Sequence, residues 1–448
     1  MLKGIWIENF KSYRTGQLLP LAPLTLMIGA NASGKSNAIE AFRFLSWYVG
    51  GEKLSTIQNR INDSEKIFRG DIGDLFYCNS NIFTVGADFE NYFSELRLDI
   101  KISKLNELNI KNESLKFINS EEKLYEITTN IPKKIKPLNE NIDKILRVNI
   151  VPEIKMQGRR NIFTFHYDNN SSILQRVKDM LLTRLDREDL IDNKIEKRFN
   201  ELKSVESAVE NTYFYDFVPS QMRQDSLADF KLRPNGQNLA GVLYTLWRHN
   251  PDREDILKFI RNLPEQDFKT LKFYEDHRER IELALVENFA NQEQEWNCDV
   301  LSDGTLRVLG IAAAILSVPE DSTLVIEEID NGIHPSRAKS LLNTMLVFAE
   351  KRHLKLLLTT HNPALMDALP DKALGDVVFA YRDPKQGDSR LIRLSDLEDY
   401  EGLVSQGSLG ELVTKEVVDR FVKNPISSEV KKQKALNWLE QMRGISHE

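Results

Sequence analysis

The chain has 448 residues, of which 41% are hydrophobic and 28% charged, and it carries a net charge of −7 at pH 7. These values are ordinary for a globular protein of two or three domains and exclude a histone-like polycation, although a local basic surface stays open. No apolar run approaches the ~20 residues of a membrane span, and Cys78 and Cys298 have no metal-ligand spacing. Because the N-terminus also lacks a signal-peptide pattern, the sequence predicts a cytoplasmic protein in a reducing environment.

The first predicted elements are a strand at 2–13 and, after a second strand at 24–28, a loop with the sequence GANASGKS at 29–36. Apolar residues then recur at helical spacing to about Trp47. A strand that turns into a helix through such a loop directs backbone N–H groups and the positive end of the helix dipole at one spot, which favours phosphate. Lys35 then reaches the β- and γ-phosphates of a nucleoside triphosphate, and the Ser36 hydroxyl binds Mg²⁺. A chance glycine turn is the alternative that this context disfavours.

The polar and aromatic turn at 8–13 either contacts the adenine or ribose of the nucleotide or is a plain β-turn, and both interpretations stay open. From about 83 to 168, short segments rich in Ile, Phe, Val and Tyr predict antiparallel strands and hairpins. Basic clusters at 133–136 and 155–160 favour a solvated face, with nucleic-acid contact as the alternative.

Residues 171–210 are highly charged, with apolar residues that predict one or two exposed helices but not a long coiled coil. A strand at 213–219 and a loop at 234–236 follow. The next predicted helices are at 239–246, 253–260 and 268–285. From 324 onward helix and strand patterns alternate, which predicts a parallel sheet.

A buried type of strand at 323–326 ends in two carboxylates, Glu327 and Glu328. At the carboxyl edge of a parallel sheet, the first can orient Mg²⁺ and the second can polarise the water that attacks the γ-phosphate. We therefore expect Mg²⁺ at Ser36 and Glu327, and catalytic roles for Glu328 and Lys35. Another apolar strand ends at His361, which can hydrogen-bond the γ-phosphate and report its loss, so we expect a catalytic role for His361 as well. A surface histidine at a strand end is the alternative.

The sequence LSDGT at 301–305 opens an apolar helix and places Ser302 and Gly304 at its N-terminus. It is a second phosphate-binding feature on a different surface, although N-capping alone would explain Ser302. The economical arrangement is a dimer in which this helix of one subunit completes the nucleotide site of the other. The predicted nucleotide contacts come from Gly29, Asn31, Ser33, Gly34, Lys35, Ser36, Asn37, Ser302 and Gly304.

In this order the motifs resemble those of the ATP-binding-cassette (ABC) ATPases of the SMC/RecF/Rad50 group. The matching segments are the Walker A loop at 29–36, the signature at 301–305, the Walker B strand at 324–328, the D-loop at 330–335 and the switch histidine, His361. The resemblance implies an α/β ABC-ATPase head with a mixed or parallel sheet core, an antiparallel β region and an inserted helical region. It also implies ATP and Mg²⁺ as ligands.

Within that group, the D-loop and the sequence THNP at 360–363 resemble RecF-like and OLD-like ATPases, many of which serve bacterial anti-phage defence with a nuclease partner. The signature has Asp303-Gly304-Thr305 where transporters have Gly-Gly-Gln, and this difference fits the RecF-like branch better than transporters. Glu327 stands where the family has aspartate. The Q-loop glutamine is not assigned, with Gln157 and Gln221 as candidates.

We expect an N-terminal lobe at 1–220, with a helical insertion at about 171–210, and a C-terminal lobe at 221–448. The signature disfavours a transporter, the length disfavours a complete SMC protein, and the segment after His361 is too short for an added TOPRIM nuclease. Two functions remain. One is an ATP-hydrolysing switch that dimerises around ATP and controls a separately encoded nuclease in anti-phage defence. The other is a RecF-like DNA-binding ATPase in repair.

Overall fold

The computed structural model describes residues 1–57, 67–103, 107–118, 123–128, 147–150, 162–164, 172–185, 193–248, 250–261, 268–289 and 292–423. Both basic clusters, at 133–136 and 155–160, and the glutamine at 157 lie outside these residues. In chain order the strands are β1 Leu2–Glu8, β2 Gln17–Pro20, β3 Leu24–Ile28, β4 Ile82–Phe89, β5 Phe93–Ile102, β6 Leu108–Phe117, β7 Lys123–Thr128, β8 Arg147–Ile150, β9 Ile162–Thr164, β10 Thr212–Tyr215, β11 Ser226–Leu227, β12 Phe268–Glu275, β13 Arg280–Phe289, β14 Gln292–Asn297, β15 Thr323–Ile326, β16 Lys355–Thr359, β17 Val378–Arg382 and β18 Ser389–Arg393.

The α-helices are α1 Lys35–Val49, α2 Ile173–Leu185, α3 Asn193–Glu210, α4 Pro219–Met222, α5 Leu239–Arg248, α6 Asn250–Ile260, α7 Asp303–Ser317, α8 Pro335–Lys351, α9 Pro363–Asp367, α10 Asp371–Leu374, α11 Tyr400–Val404, α12 Leu409–Thr414 and α13 Val417–Lys423. Short 3₁₀ turns lie at Leu54–Thr56, Ile72–Leu75, Cys298–Val300 and Leu394–Asp396. Among the described residues, none of these helices has the length and apolar character needed to cross a bilayer.

A six-stranded sheet in the order β10-β15-β16-β3-β17-β18 organises the molecule. Its first five strands are parallel and β18 is antiparallel. Strands β3, β15 and β16 are buried along their whole length, as expected for parallel strands covered on both faces. Their carboxyl ends lie side by side, so the residues that follow them meet at one edge of the sheet.

This central sheet separates two hydrophobic cores, because successive side chains of a strand point to opposite faces. Leu324 and Ile326 of β15 join the core that contains the apolar faces of α7 and α8. Val325, between them, joins the core that contains α1 and the antiparallel sheet. The phosphate-loop helix and the signature helix therefore pack on opposite faces of the same sheet.

The antiparallel region is an eight-stranded sheet in the order β2-β1-β4-β5-β6-β7-β8-β9. It packs on α1 through a cluster of aromatic side chains in which Phe83 of β4 contacts Phe10, Phe44 and Phe76 edge-on. The inserted helical region consists of α2 and α3, here called the helical arm, and it contacts the C-terminal end of α1 through a hydrogen bond from Gln175 Nε2 to the carbonyl oxygen of Val49 at 3.0 Å. The predicted fold class, an ABC-ATPase α/β head with an antiparallel region and a helical insertion, is confirmed.

The helix predicted at 268–285 is wrong, because β12 and β13 form an antiparallel hairpin there and pair with β11 and β14. Along β13 every second residue, Ile281, Leu283 and Leu285, joins the core that contains α7, as the alternation of a strand requires. In β12 a register shift between Phe268 and Thr270 interrupts the alternation. Such a bulge lets Phe268 and Leu271, three residues apart, both face the core, and this spacing imitates a helix.

Candidate nucleotide site

The predicted phosphate loop lies at the carboxyl end of β3 and leads into α1. Its backbone requires glycine at two positions, since Gly29 has φ 143° and Gly34 has φ 113°. A Cβ at Gly29 would collide with the carbonyl oxygen of Ala380, and one at Gly34 would collide with Ser389. The loop is therefore pressed against β17 and β18, and a side chain at either glycine would displace it.

Buried residues of the N-terminal turn support this loop from behind. The Tyr13 hydroxyl donates to the carbonyl oxygen of Gly34 at 3.1 Å, and the Ser389 hydroxyl donates to Ser12 Oγ at 2.7 Å. Ser12 Oγ also accepts from Asn37 Nδ2 at 2.8 Å. Since the Tyr13 ring is fully buried, it holds the loop in place and cannot stack on a base. The Asn37 amide, predicted to contact the nucleotide, uses its nitrogen within the protein.

Lys35 is buried at the start of α1, and its ammonium lies within the loop. Its Nζ donates to the carbonyl oxygens of Gly29 at 2.7 Å and Ala30 at 3.0 Å. Burial lowers the pKa of Lys35 to about 8, and the Glu328 carboxylate opposes this effect. A desolvated ammonium that is compensated by so little negative charge attracts an anion.

The other loop residues fit phosphate as well. Ser33 Oγ is buried and has no hydrogen-bond partner in the part of the chain that the structure describes, which is unusual for a buried hydroxyl. Asn31 is exposed at the tip of the loop, and Ser36 is half-buried in the first turn of α1. Arg382, from the end of β17, donates from Nε to the carbonyl oxygen of Ala32 at 2.9 Å and adds a positive charge that the sequence did not reveal.

Glu327 follows β15 and is half-buried on the side of α1. Its Oε1 lies 3.3 Å from Arg43 Nη2, about two turns beyond Ser36 on the same helix. Burial raises the pKa of Glu327, and the Arg43 charge counteracts this effect. A half-buried carboxylate with its second oxygen outside this ion pair, together with the Ser36 hydroxyl, offers the oxygen ligands that Mg²⁺ prefers.

The Glu328 side chain has different surroundings from that of Glu327, because the backbone turns sharply at Glu328 with φ 49°. This left-handed conformation is costly for glutamate and is held by two contacts. The backbone N–H of Glu328 donates to Thr359 Oγ1 at 2.9 Å, and Asn331 Nδ2 donates to Glu328 Oε2 at 2.7 Å. Thr359 and Asn331 thus aim the exposed carboxylate, a role that the sequence did not assign to either residue.

His361 follows β16, next to Glu328 in the sheet edge. Partial burial and the Lys35 charge lower the pKa of His361, whereas Asp330 and Glu328 oppose this effect. Asp330 carries a buried carboxylate oxygen, Oδ1, that has no hydrogen-bond partner among the described residues. The structure therefore brings together Lys35, Glu328, Asp330 and His361, of which Asp330 was placed in the D-loop without a chemical role.

The signature residues lie elsewhere. Ser302 is exposed and caps α7, because its Oγ accepts from the backbone N–H of Thr305 at 3.1 Å. A Cβ at Gly304 would collide with the carbonyl oxygen of Gly332, so the signature and the D-loop are in close contact. Within the described ranges, no hydrogen bond or ion pair joins residues 301–305 to the loop at 29–36. In the described part of the chain, neither kind of contact therefore joins Ser302 and Gly304 to the phosphate loop of the same subunit.

Gln221, one of the two Q-loop candidates, lies in α4 and accepts a hydrogen bond from Asn235. The other candidate is outside the described residues.

The chain is similar to several known proteins. A family described as "AAA domain, putative AbiEii toxin, Type IV TA system" matches residues 24–367. An "ATP/GTP phosphatase" of Helicobacter pylori is 20% identical over 398 residues, which cover 85% of this chain and 90% of that protein. The DNA replication and repair protein RecF of Leptospira biflexa is 29% identical over 121 residues, covering 26% of this chain and 29% of RecF.

Structural maintenance of chromosomes protein 1 of Arabidopsis thaliana is 32% identical over 125 residues, which cover 24% of this chain and 10% of that protein. An SMC head bound to the C-winged helix domain of ScpA has a TM-score of 0.48 and 12% identity, over 87% of this chain and 97% of that one.

The strand order, the glycine loop and the acids at the neighbouring strand end define an ABC-type ATPase of the SMC/RecF group. Because the family match covers most of the sequence, from residue 24 to residue 367, the chain belongs to the family described as "AAA domain, putative AbiEii toxin, Type IV TA system".

Proposed function

We propose that this protein is a Mg²⁺-dependent ATPase that acts as a molecular switch. The observation that carries the proposal is the convergence of Lys35, Glu328 and His361 at the carboxyl edge of the parallel sheet, next to the buried Ser33 hydroxyl, which has no hydrogen-bond partner among the described residues. The H. pylori relative, named an ATP/GTP phosphatase, supports the same activity. Free thiols at Cys78 and Cys298 fit the cytoplasm as its location.

Each residue has a role in this proposal that follows from its position. The backbone of the loop and Lys35 bind the β- and γ-phosphates, and Ser36 and Glu327 hold Mg²⁺, which neutralises phosphate charge when bound. Glu328, aimed by Thr359 and Asn331, orients the attacking water and accepts its proton. His361 donates to the γ-phosphate and senses its loss.

We further propose that two subunits share each ATP. Ser302 and Gly304 form the N-terminus of a long helix. Among the described residues, no hydrogen bond or ion pair joins this N-terminus to the phosphate loop of the same chain. A helix N-terminus of this kind stabilises phosphate. The head-to-tail dimer, or a higher oligomer built from it, places the signature of one subunit on the ATP of the other.

A mixing experiment tests this arrangement. Lys35→Ala removes the main phosphate ligand and leaves the signature intact, whereas Ser302→Arg blocks the signature and leaves the loop intact. Either variant alone should lack ATPase activity, and the mixture should recover part of it, since each heterodimer contains one complete site. The mixture is assayed over a series of protein concentrations. No recovery at any concentration, from two folded variants that still associate, would exclude shared sites.

The biological role is proposed from the family and the resemblance together. We propose that the ATP-bound dimer controls a separately encoded effector, a nuclease, in defence against phage; the toxin–antitoxin system in the family description supports a role of this kind. The similarity to RecF favours a second candidate, a DNA-binding ATPase of repair. Glu328→Gln should trap the ATP-bound state, so we would purify this variant from its native host with ATP. A co-purifying nuclease supports the switch, whereas ATPase stimulation by DNA without a protein partner supports the RecF-like function.

A further inference from the structure

A single arginine, Arg223, holds the segment that leads into the signature helix α7. Its guanidinium donates from Nε to the carbonyl oxygen of Asp299 at 3.2 Å, and from Nη2 to the carbonyl oxygen of Leu301 at 2.9 Å and to Asp303 Oδ1 at 2.7 Å. These three acceptors lie on both sides of Ser302. Because a guanidinium is planar and its donors are fixed relative to one another, it sets the positions of all three together.

The backbone that carries Arg223 is itself fixed to the signature helix. Met222, the preceding residue, is fully buried in the core that contains α7. Its methyl group lies 2.7 Å from the position that a Cβ at Gly310 would take, so Met222 packs against the middle of α7. Arg223 therefore extends from a point that cannot move relative to the helix.

Side-chain burial restrains residues 299–303 only weakly. Ser302 and Asp303 are exposed, Val300 is 67% exposed, and Leu301 is the buried anchor between them. Asp303 is also the residue at which this signature departs from the glycine of transporters. Its ion pair with Arg223, in which 64% of the Asp303 side chain remains exposed, gives this departure a role.

We propose that Arg223 is a positioning residue that acts on the partner's nucleotide. It holds Ser302 and Gly304 in the geometry needed to bind the γ-phosphate at the phosphate loop of the other subunit, without touching the nucleotide itself. The inference rests on the proposed shared site, and it predicts that Arg223 matters only on the subunit that supplies the signature.

The mixing experiment separates this role from a structural one. In the reference mixture, Lys35→Ala supplies the signature and Ser302→Arg supplies the loop. Adding Arg223→Ala to the Lys35→Ala subunit should reduce the recovered ATPase activity by ~10- to 100-fold, because a misplaced ligand costs rate without loss of folding. Adding Arg223→Ala to the Ser302→Arg subunit should leave the recovery unchanged, since that signature is already blocked.

Arg280→Ala is the matched control. Arg280 lines the same surface groove as Arg223 but donates to the carbonyl oxygen of Asp225 at 2.7 Å rather than to residues 299–303. Placed on the signature subunit, Arg280→Ala should leave recovery unchanged, which excludes a general effect of lost positive charge. On the Arg223→Ala single variant, the Kd for ATP of the free subunit, measured under non-hydrolysing conditions at protein concentrations too low for dimerisation, should stay the same, whereas kcat of the dimer should fall.

The outcomes distinguish the inference from the shared site on which it rests. Equal recovery with Arg223→Ala on either subunit overturns the positioning role, whether both recoveries match the reference or both are lost. A reference mixture that recovers nothing overturns the shared site and the positioning role with it. The asymmetric loss alone supports both.

Discussion

Glu113 links the phosphate-loop helix to the helical arm, and a change at this point should loosen the arm. The carboxylate is 1% exposed and accepts four hydrogen bonds. Tyr48 of α1 donates to its Oε2 at 2.6 Å and Tyr125 of β7 to its Oε1 at 2.8 Å. The other two come from the first backbone N–H groups of α2, Ile173 at 3.1 Å and Leu174 at 2.9 Å. Glu113 thus caps α2 and ties it to the C-terminal end of α1.

Tyr48→Phe keeps the buried ring and removes one donor to this carboxylate. A hydrogen bond to a charged group contributes about 1.5–3 kcal/mol, and its loss here leaves the buried oxygen with fewer partners. Local opening at the start of α2 should become easier by this amount. The amides of Ile173 and Leu174 should then exchange with solvent roughly 10- to 150-fold faster in hydrogen-exchange measurements.

Tyr244→Phe is the control, because its hydroxyl donates to Glu275 at 3.4 Å at an exposed position. Removal of that hydroxyl should change the free energy of local opening at α2 by less than about 0.5 kcal/mol. If Tyr48→Phe and Tyr244→Phe leave exchange at Ile173 and Leu174 equally unchanged, the carboxylate does not hold the arm, and the reasoning from the buried contacts is refuted.

Three further predictions concern the nucleotide site. Asn331→Ala removes the donor that aims Glu328, so kcat should fall by about 10-fold while ATP affinity stays unchanged, and steady-state kinetics that show a loss of affinity instead would contradict this. Gly332→Ala adds a Cβ 3.1 Å from the Gly304 nitrogen at a residue with φ 75°; ATPase activity should fall, whereas nucleotide binding to the free subunit, measured by titration calorimetry, should not. Because burial lowers the pKa of Lys35 to about 8 and phosphate favours its charged form, ATP affinity should fall as the pH rises above 8, with proton uptake on binding. Calorimetry in buffers of different ionisation enthalpy measures the uptake, and the absence of uptake at pH 9 would contradict a lysine that is neutral in the free protein and charged in the complex.

The motifs could be read from the sequence because each is local. The strand, loop and helix around Lys35 occupy one continuous stretch, and the acids at 327 and 328 directly follow a buried strand. The helix predicted at 268–285 failed because a bulge changes the spacing of buried residues, and a bulge has no reliable local signal. Contacts between distant residues were out of reach for a different reason. Arg223 and Asp303 are separated by 80 positions, and Tyr48 and Glu113 by 65, so only the folded chain shows that each pair meets.

The structure also explains how the two halves of the nucleotide machinery within one chain are connected. Gly304 of the signature lies against Gly332 of the D-loop, and Asn331, the residue before Gly332, donates to the Glu328 carboxylate at 2.7 Å. In the proposed dimer, a signature that engages the partner's phosphate is therefore two contacts away from Glu328, the acid proposed to act on the chain's own ATP. Close-packed backbone of this kind transmits a shift because it has no free space to absorb it. If each signature acts on the partner, loss of the γ-phosphate at one site disturbs Glu328 at the other. We therefore expect ATP hydrolysis at the two sites of a dimer to be coupled. Gly332→Ala should weaken this coupling while ATP binding to the free subunit stays unchanged.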